Sequence, residues 1–184
     1  NLAFDDAARV LKSEAYQISS ADGALTHLKS IDPVTLKVSW IAQEKNTDAA
    51  LRTQLGGDGA PFTLDDEVIR VRSWNLAFDD AARVLKSEAY QITSADGGVT
   101  HSKNIDPVTL KVTWVRQEKN TDATLRNELI GSATEFTADD EVFWVRVWNK
   151  AFSDAARVLK SEAYQISSAD GGVTHSKNID PVTL

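Results

Sequence analysis

Histidine, arginine and carboxylate are the residue types here that could move protons or hold a metal, and nearly all of them recur at a spacing of 74. His27, His101 and His175 are the three histidines among 184 residues, and each follows the same Ser-Ala-Asp-Gly turn. A general base or metal ligand built on histidine would therefore have to occur in triplicate, and an imidazole packed into a hairpin is the simpler account. Arginine is repeated in the same way: Arg9, Arg83 and Arg157 are copies of one position and Arg52 and Arg126 of another, joined by Arg70, Arg72, Arg116 and Arg146 in strand-like runs. Asp65-Asp66-Glu67 and Asp139-Asp140-Glu141 offer oxygen ligands of the kind calcium takes. Carboxylates just ahead of a strand more simply make solvated turns, so no metal and no other cofactor is expected. No motif names a reaction, and the chain reads as a non-enzyme.

Indole and guanidinium can serve binding instead. Trp74, Trp144 and Trp148, with Arg72 and Arg146, stand in two equivalent strand-like runs. An indole face stacks on a sugar ring and polar neighbours bond its hydroxyls, so these five are the candidate ligand-binding residues. Trp144 replaces Arg70 of the other copy. If the alternate face of its strand is core, the indole lies outward, as a ligand platform or an inter-subunit contact.

The elements that must position these groups are themselves repeated. Asn1, Asn75 and Asn149 each open a run ending Ala-Ala-Arg-Val-Leu-Lys-Ser-Glu-Ala-Tyr-Gln-Ile, so a 74-residue unit is written twice and begun a third time. Trp40, Trp74, Trp114 and Trp148 are separated by 34, 40 and 34 residues, which suggests a half-period of about 37. Five modules follow, 1–40, 41–74, 75–114, 115–148 and 149–184.

Within a module the strands are the clearest signal. Thr109 to Arg116 alternates Leu110, Val112 and Trp114 with Lys111, Thr113 and Val115, and Glu141 to Trp148 alternates in the same way. Asp-Pro at 32–33, 106–107 and 180–181 punctuates the entry to one strand class, because proline fixes φ and cannot donate to a ladder. The run from Asp80 to Ile92 suits a helix by periodicity, but its second half leads into a turn and is read as a strand. Thr47 to Gly56 is read as one helical turn, capped by Thr47 and ended by Gly56.

The most specific short motif is the turn Ser94-Ala95-Asp96-Gly97-Gly98-Val99-Thr100-His101, repeated from Ser168 to His175 and, with Ala24 in place of glycine, from Ser20 to His27. It resembles the Asp-box, Ser-x-Asp-x-Gly-x-Thr-aromatic, of β-propellers such as sialidases, with histidine in place of the aromatic. The resemblance implies a structural hairpin rather than a catalytic element. Asp22, Asp96 and Asp170 would bond backbone amides of their own turn, Gly98 and Gly172 would take its φ > 0 positions, and Thr100 and Thr174 complete the structural motif.

These features predict an all-β, internally repeated fold, with a five-module β-propeller-like ring favoured over tandem sandwiches of immunoglobulin or fibronectin type III kind. Short Trp-bearing modules are loosely similar to propeller lectin blades. Val145 to Asp154 is similar to the last hairpin of a type III domain. Twenty Lys+Arg against 27 Asp+Glu give a net charge of -7, which repels nucleic acid and anionic membranes. No apolar run nears the roughly 20 residues of a membrane span, and the absence of cysteine excludes disulfides. The expectation is an extracellular or cell-surface recognition and adhesion protein that takes carbohydrate or a cell-surface glycan. The rival is a structural tandem-repeat component that self-associates into a fibre or filament; a glycosidase-like enzyme is the remaining and least favoured alternative.

Overall fold

Period-two alternation of β-branched and aromatic residues with Ser, Thr, Gln and Lys is realised as strands throughout. The computed structural model describes residues 14–32, 35–56, 61–63, 65–133, 136–137, 140–168 and 173–181. Ten strands run in chain order: β1 (Glu14–Ser19), β2 (Leu25–Ile31), β3 (Val38–Asn46), β4 (Val68–Trp74), β5 (Leu85–Thr93), β6 (Val99–Ile105), β7 (Val112–Asn120), β8 (Val142–Trp148), β9 (Leu159–Ser167) and β10 (Thr174–Ile179). They form one antiparallel sheet in which every strand pairs with its neighbours in sequence. Helix α1 (Ala49–Gly56) joins β3 to β4, and α2 (Ala123–Ile130) joins β7 to β8. Four strands and a helix thus make one 74-residue unit. The module limits 40/41 and 114/115 fall inside β3 and β7, whereas 74/75 and 148/149 fall at the ends of β4 and β8.

The fold is all-β, but the sheet is open: among the described residues β1 and β10 each have one partner and do not pair with one another. The strand that would complete a propeller blade is bonded instead to the strand that opens the next unit. β4 runs along β5 from Val68↔Ile92 to Ser73↔Ser87, and β8 runs along β9 from Val142↔Ile166 to Val147↔Ser161. That pairing across the junction merges the units into one sheet where a ring needs separate blades. It also departs from tandem sandwiches, which need two packed sheets per unit.

The helices are longer than one turn and are capped by aspartate rather than by Thr47. Asp48 Oδ1 accepts from the amides of Ala50 (2.8 Å) and Leu51 (3.2 Å), and Asp122 Oδ1 from those of Thr124 (2.8 Å) and Leu125 (3.3 Å). Leu51 and Leu55, four apart on one side of α1, meet Val68, Ile92, Trp114 and Phe152. In α2, Leu129 meets Val142 and Ile166. Burying each such side chain contributes roughly 1.5–3 kcal/mol. Both helices lie on the same face of the sheet, since the strand residues they cover are in phase across the ladder. Each covers the following unit: α1 touches β5 and β6, and α2 touches β9 and β10.

Candidate functional site

Alternation along β8 places Val142, Trp144, Arg146 and Trp148 on one face, and the equivalent Val68, Arg70, Arg72 and Trp74 of β4 face the same way. All five sequence-predicted binding residues therefore stand on the helix-bearing face. They do not stand free there. Arg72 pairs with Glu44 at 2.5 Å and lies over the Trp74 ring, 5.1 Å from its centroid. Arg146 pairs with Glu118, which also accepts Arg116, so one carboxylate separates two guanidinium groups that face each other across β7 and β8. The Arg146 guanidinium lies 3.6 Å from the centroid of Trp144 and 5.5 Å from that of Trp148.

Trp144 is half-buried and engaged. Its Nε1 donates to Glu162 Oε1 at 2.7 Å, and its ring stacks on Tyr164 at 5.9 Å. Arg70 does the same for the first unit, its Nε donating to Glu88 Oε1 at 2.8 Å. Arginine and tryptophan are thus two solutions to one cross-strand bond, which explains how the copies differ there. The indole is not the unpaired outward platform that alternation alone suggested, because Val142, on its own side of β8, is covered by Leu129.

The Asp-Gly turns join β1 to β2 and β5 to β6. Asp96 Oδ1 accepts from Ser94 Oγ (2.6 Å) and from the Gly98 amide (2.9 Å), while Ser94 Oγ accepts from the Val99 amide (3.0 Å). Gly97, and not Gly98, takes φ +68°, the left-handed region that glycine enters without a Cβ penalty. The Ser94 hydroxyl, then the Gly98 amide, hold the Asp96 carboxyl below its ordinary range. Asp22 repeats the arrangement with Ser20 and Ala24. Thr100 meets Thr93 across the ladder at 3.0 Å and Thr174 meets Ser167 at 2.8 Å. Asp170 and Gly172 lie outside the described residues.

The turn histidine packs not under its own hairpin but under the preceding helix. His101 Nδ1 donates to the carbonyl of Leu55 at 2.6 Å, and its ring stacks on Phe152 at 3.9 Å with Phe62 edge-on at 4.7 Å. Its Nε2 is buried without a partner, which leaves the neutral imidazole with its proton on Nδ1. Burial pushes its pKa down to about 4. A base so enclosed is a structural group. His175 Nδ1 meets Leu129 O at 2.7 Å in the same way.

The acidic triplets close turns. Asp66 accepts from the Thr63 amide and Asp140 from that of Thr137, each at 2.7 Å, and Glu67 and Glu141 pair with Lys45 and Lys119. Among the described residues no three His, Asp or Glu side chains converge as a metal site would require.

Two of the hollows among the described residues bear on what the chain could hold. On the helix-free face, Phe143 stands among Gln117, Gln165, Asp140, Glu141 and Ser167 around a hollow of about 350 Å³. On the helix-bearing face a second, of about 290 Å³, opens over β1 and β2 beside Tyr16, Ile18, His27, Trp40 and Phe78. The change from Ile69 to Phe143 between copies was the available signal for the first; the second depends on what lies over each strand. Comparison with protein-family models, curated proteins and solved structures finds no match. Among the described residues no helix is long and apolar enough to cross a membrane.

Proposed function

We propose that this chain is a non-catalytic structural repeat segment of an extracellular or cell-surface adhesion array, in which successive units share one sheet and each helix completes a core on the next unit. The observation that carries the proposal is the coupling across units: the helix of one unit seats on the strands of the next, where Leu55 bonds His101 and Leu129 bonds His175. Units that complete one another's cores behave as a quasi-one-dimensional array, which lengthens by addition and multiplies weak contacts into avidity. The single-partner strands β1 and β10 offer main-chain hydrogen-bonding edges for self-association into a filament. The turn that resembles the Asp-box serves in this array as a structural hairpin. Small-angle scattering on chains with one, two and three added 74-residue units tests the proposal. Four strands at about 4.8 Å should add roughly 19 Å of length per unit. A maximum dimension that stays constant, as in a closing ring, would refute it.

A carbohydrate ligand is the second reading, and it is supported by the Phe143 hollow rather than by Trp144. An aromatic ring flanked by two amides and two carboxylates matches a sugar's apolar face and hydroxyls, and the net negative charge disfavours polyanions. A glycan array on which a sugar is held by the chain and lost on Phe143→Ala would establish that reading. Binding undiminished by that substitution, or none at all, would remove it.

A further inference from the structure

We propose that the open groove over β1 and β2 is a docking site for a helix of the α1 type, the short Leu-x-x-x-Leu helix of another unit of this same kind; the proposal rests on the array reading above. The same surface occurs three times in the chain and is filled twice. Ile92 and Ile166 are fully buried, at 0% exposure, beneath α1 and α2, whereas the equivalent Ile18 is 71% exposed. His101 and His175 donate from Nδ1 to the carbonyl of the leucine 46 residues earlier.

The rest of the seat is already assembled. Phe78 stacks on His27 at 4.0 Å and meets Trp40 and Trp74 edge-on at 5.9 and 5.2 Å, as Phe152 meets His101, Trp114 and Trp148. The amide of Phe152 donates to Gln54 O near the end of α1, and Phe78 holds the same place in the first unit. Lys29 lies at the rim, where its counterpart Lys177 reaches Glu128 of α2 at 3.0 Å. The occupant is therefore specified: two leucines four apart, a Gln or Glu just before the second, and a carbonyl at the second leucine for His27. No described segment supplies it, because α1 and α2 are each seated on the unit that follows them.

The test uses the intact chain and a peptide of residues 46–74, which carries α1 with the strand that pairs beside it. The expected result is saturable binding that moves the NMR signals of Ile18 and His27, gives His27 a slowly exchanging ring N–H, and weakens at least tenfold with Leu55→Asp in the peptide. Equal binding by both peptides would mean strand addition to β1 alone and would overturn the proposal, as would shifts confined to other surfaces. If the free peptide does not bind, the same segment fused ahead of Asn1 decides the matter, since it recreates the junction Trp74-Asn75-Leu76-Ala77-Phe78. Protection of Ile18 and His27 in that fusion supports the groove, and unchanged exchange refutes it. Linear growth of longer arrays with His27 still unprotected would sink the groove while leaving the array intact; absence of growth would sink the array itself.

Discussion

Lowering the pH should loosen the joint between the two described helical units at one residue, His101. Its ring is 3% exposed, Nδ1 is committed to Leu55 O, and Nε2 faces no acceptor. A proton added there would bury a charge near Arg116 and Arg146, opposed only in part by Glu118. The folded-state pKa of about 4 lies below the ordinary 6.5, so between these values the unfolded chain holds the extra proton. Stability is then complete above about pH 6.5 and falls as pH drops toward 4. A gap of roughly two and a half pH units at about 1.4 kcal/mol each corresponds to about 3–4 kcal/mol in all, of which about 2 kcal/mol is gone by pH 5. The assay is urea unfolding followed by tryptophan fluorescence at pH 7.5 and 5, with NMR titration of the imidazole. The turn carboxylates Asp22 and Asp96, held low by their own hydrogen bonds, lose their contribution only below the ordinary carboxylate range and do not obscure this window. A His101 ring that titrates near 6.5, or a pH slope unchanged in His101→Gln, would refute the argument.

Leu55 is 0% exposed in the larger core cluster, so Leu55→Ala should cost about 2–5 kcal/mol in denaturant unfolding. Leu110 takes φ +56° with 73% of its surface exposed; Leu110→Gly should remove a strain of about 1–2 kcal/mol against a glycine entropy cost of about 0.5–1, a net gain near 0.5 kcal/mol seen as a higher melting temperature. Trp144→Arg should change stability by less than about 1 kcal/mol, because arginine makes the same bond to Glu88 that the indole makes to Glu162. Trp144→Phe, which leaves Glu162 without its donor, should cost about 1 kcal/mol or more by the same unfolding assay.

Much of the local structure was legible because it rests on short-range rules. Alternation marks β7 and β8, the Ser-x-Asp-Gly turns carry their own hydrogen bonds, and Asp106-Pro107 starts the turn into β7, with Asp106 Oδ1 accepting from the amides of Val108 and Thr109. The cap of α1 is Asp48, one residue beyond Thr47, since both are good caps and only the geometry of the following turn selects between them. The propeller, the sandwich array and the open sheet share these strands and turns, and they differ in which partner β4 and β8 take. That choice is made by contacts far apart in sequence: Leu55 with His101, Val68 with Ile92, Phe152 with Trp114. Likewise, alternation puts Trp144, Arg146 and Trp148 on one face, but it is silent on which face a helix covers. The repeat, the strands, the turns and the side on which each residue projects follow from backbone sterics and from bonds within a few residues, and so are written in the order of the amino acids. That the units merge into one sheet, that the repeated histidine is a buried joint and that its first copy stands open depend on long-range packing, because burial is settled by what packs over a residue and not by the residue.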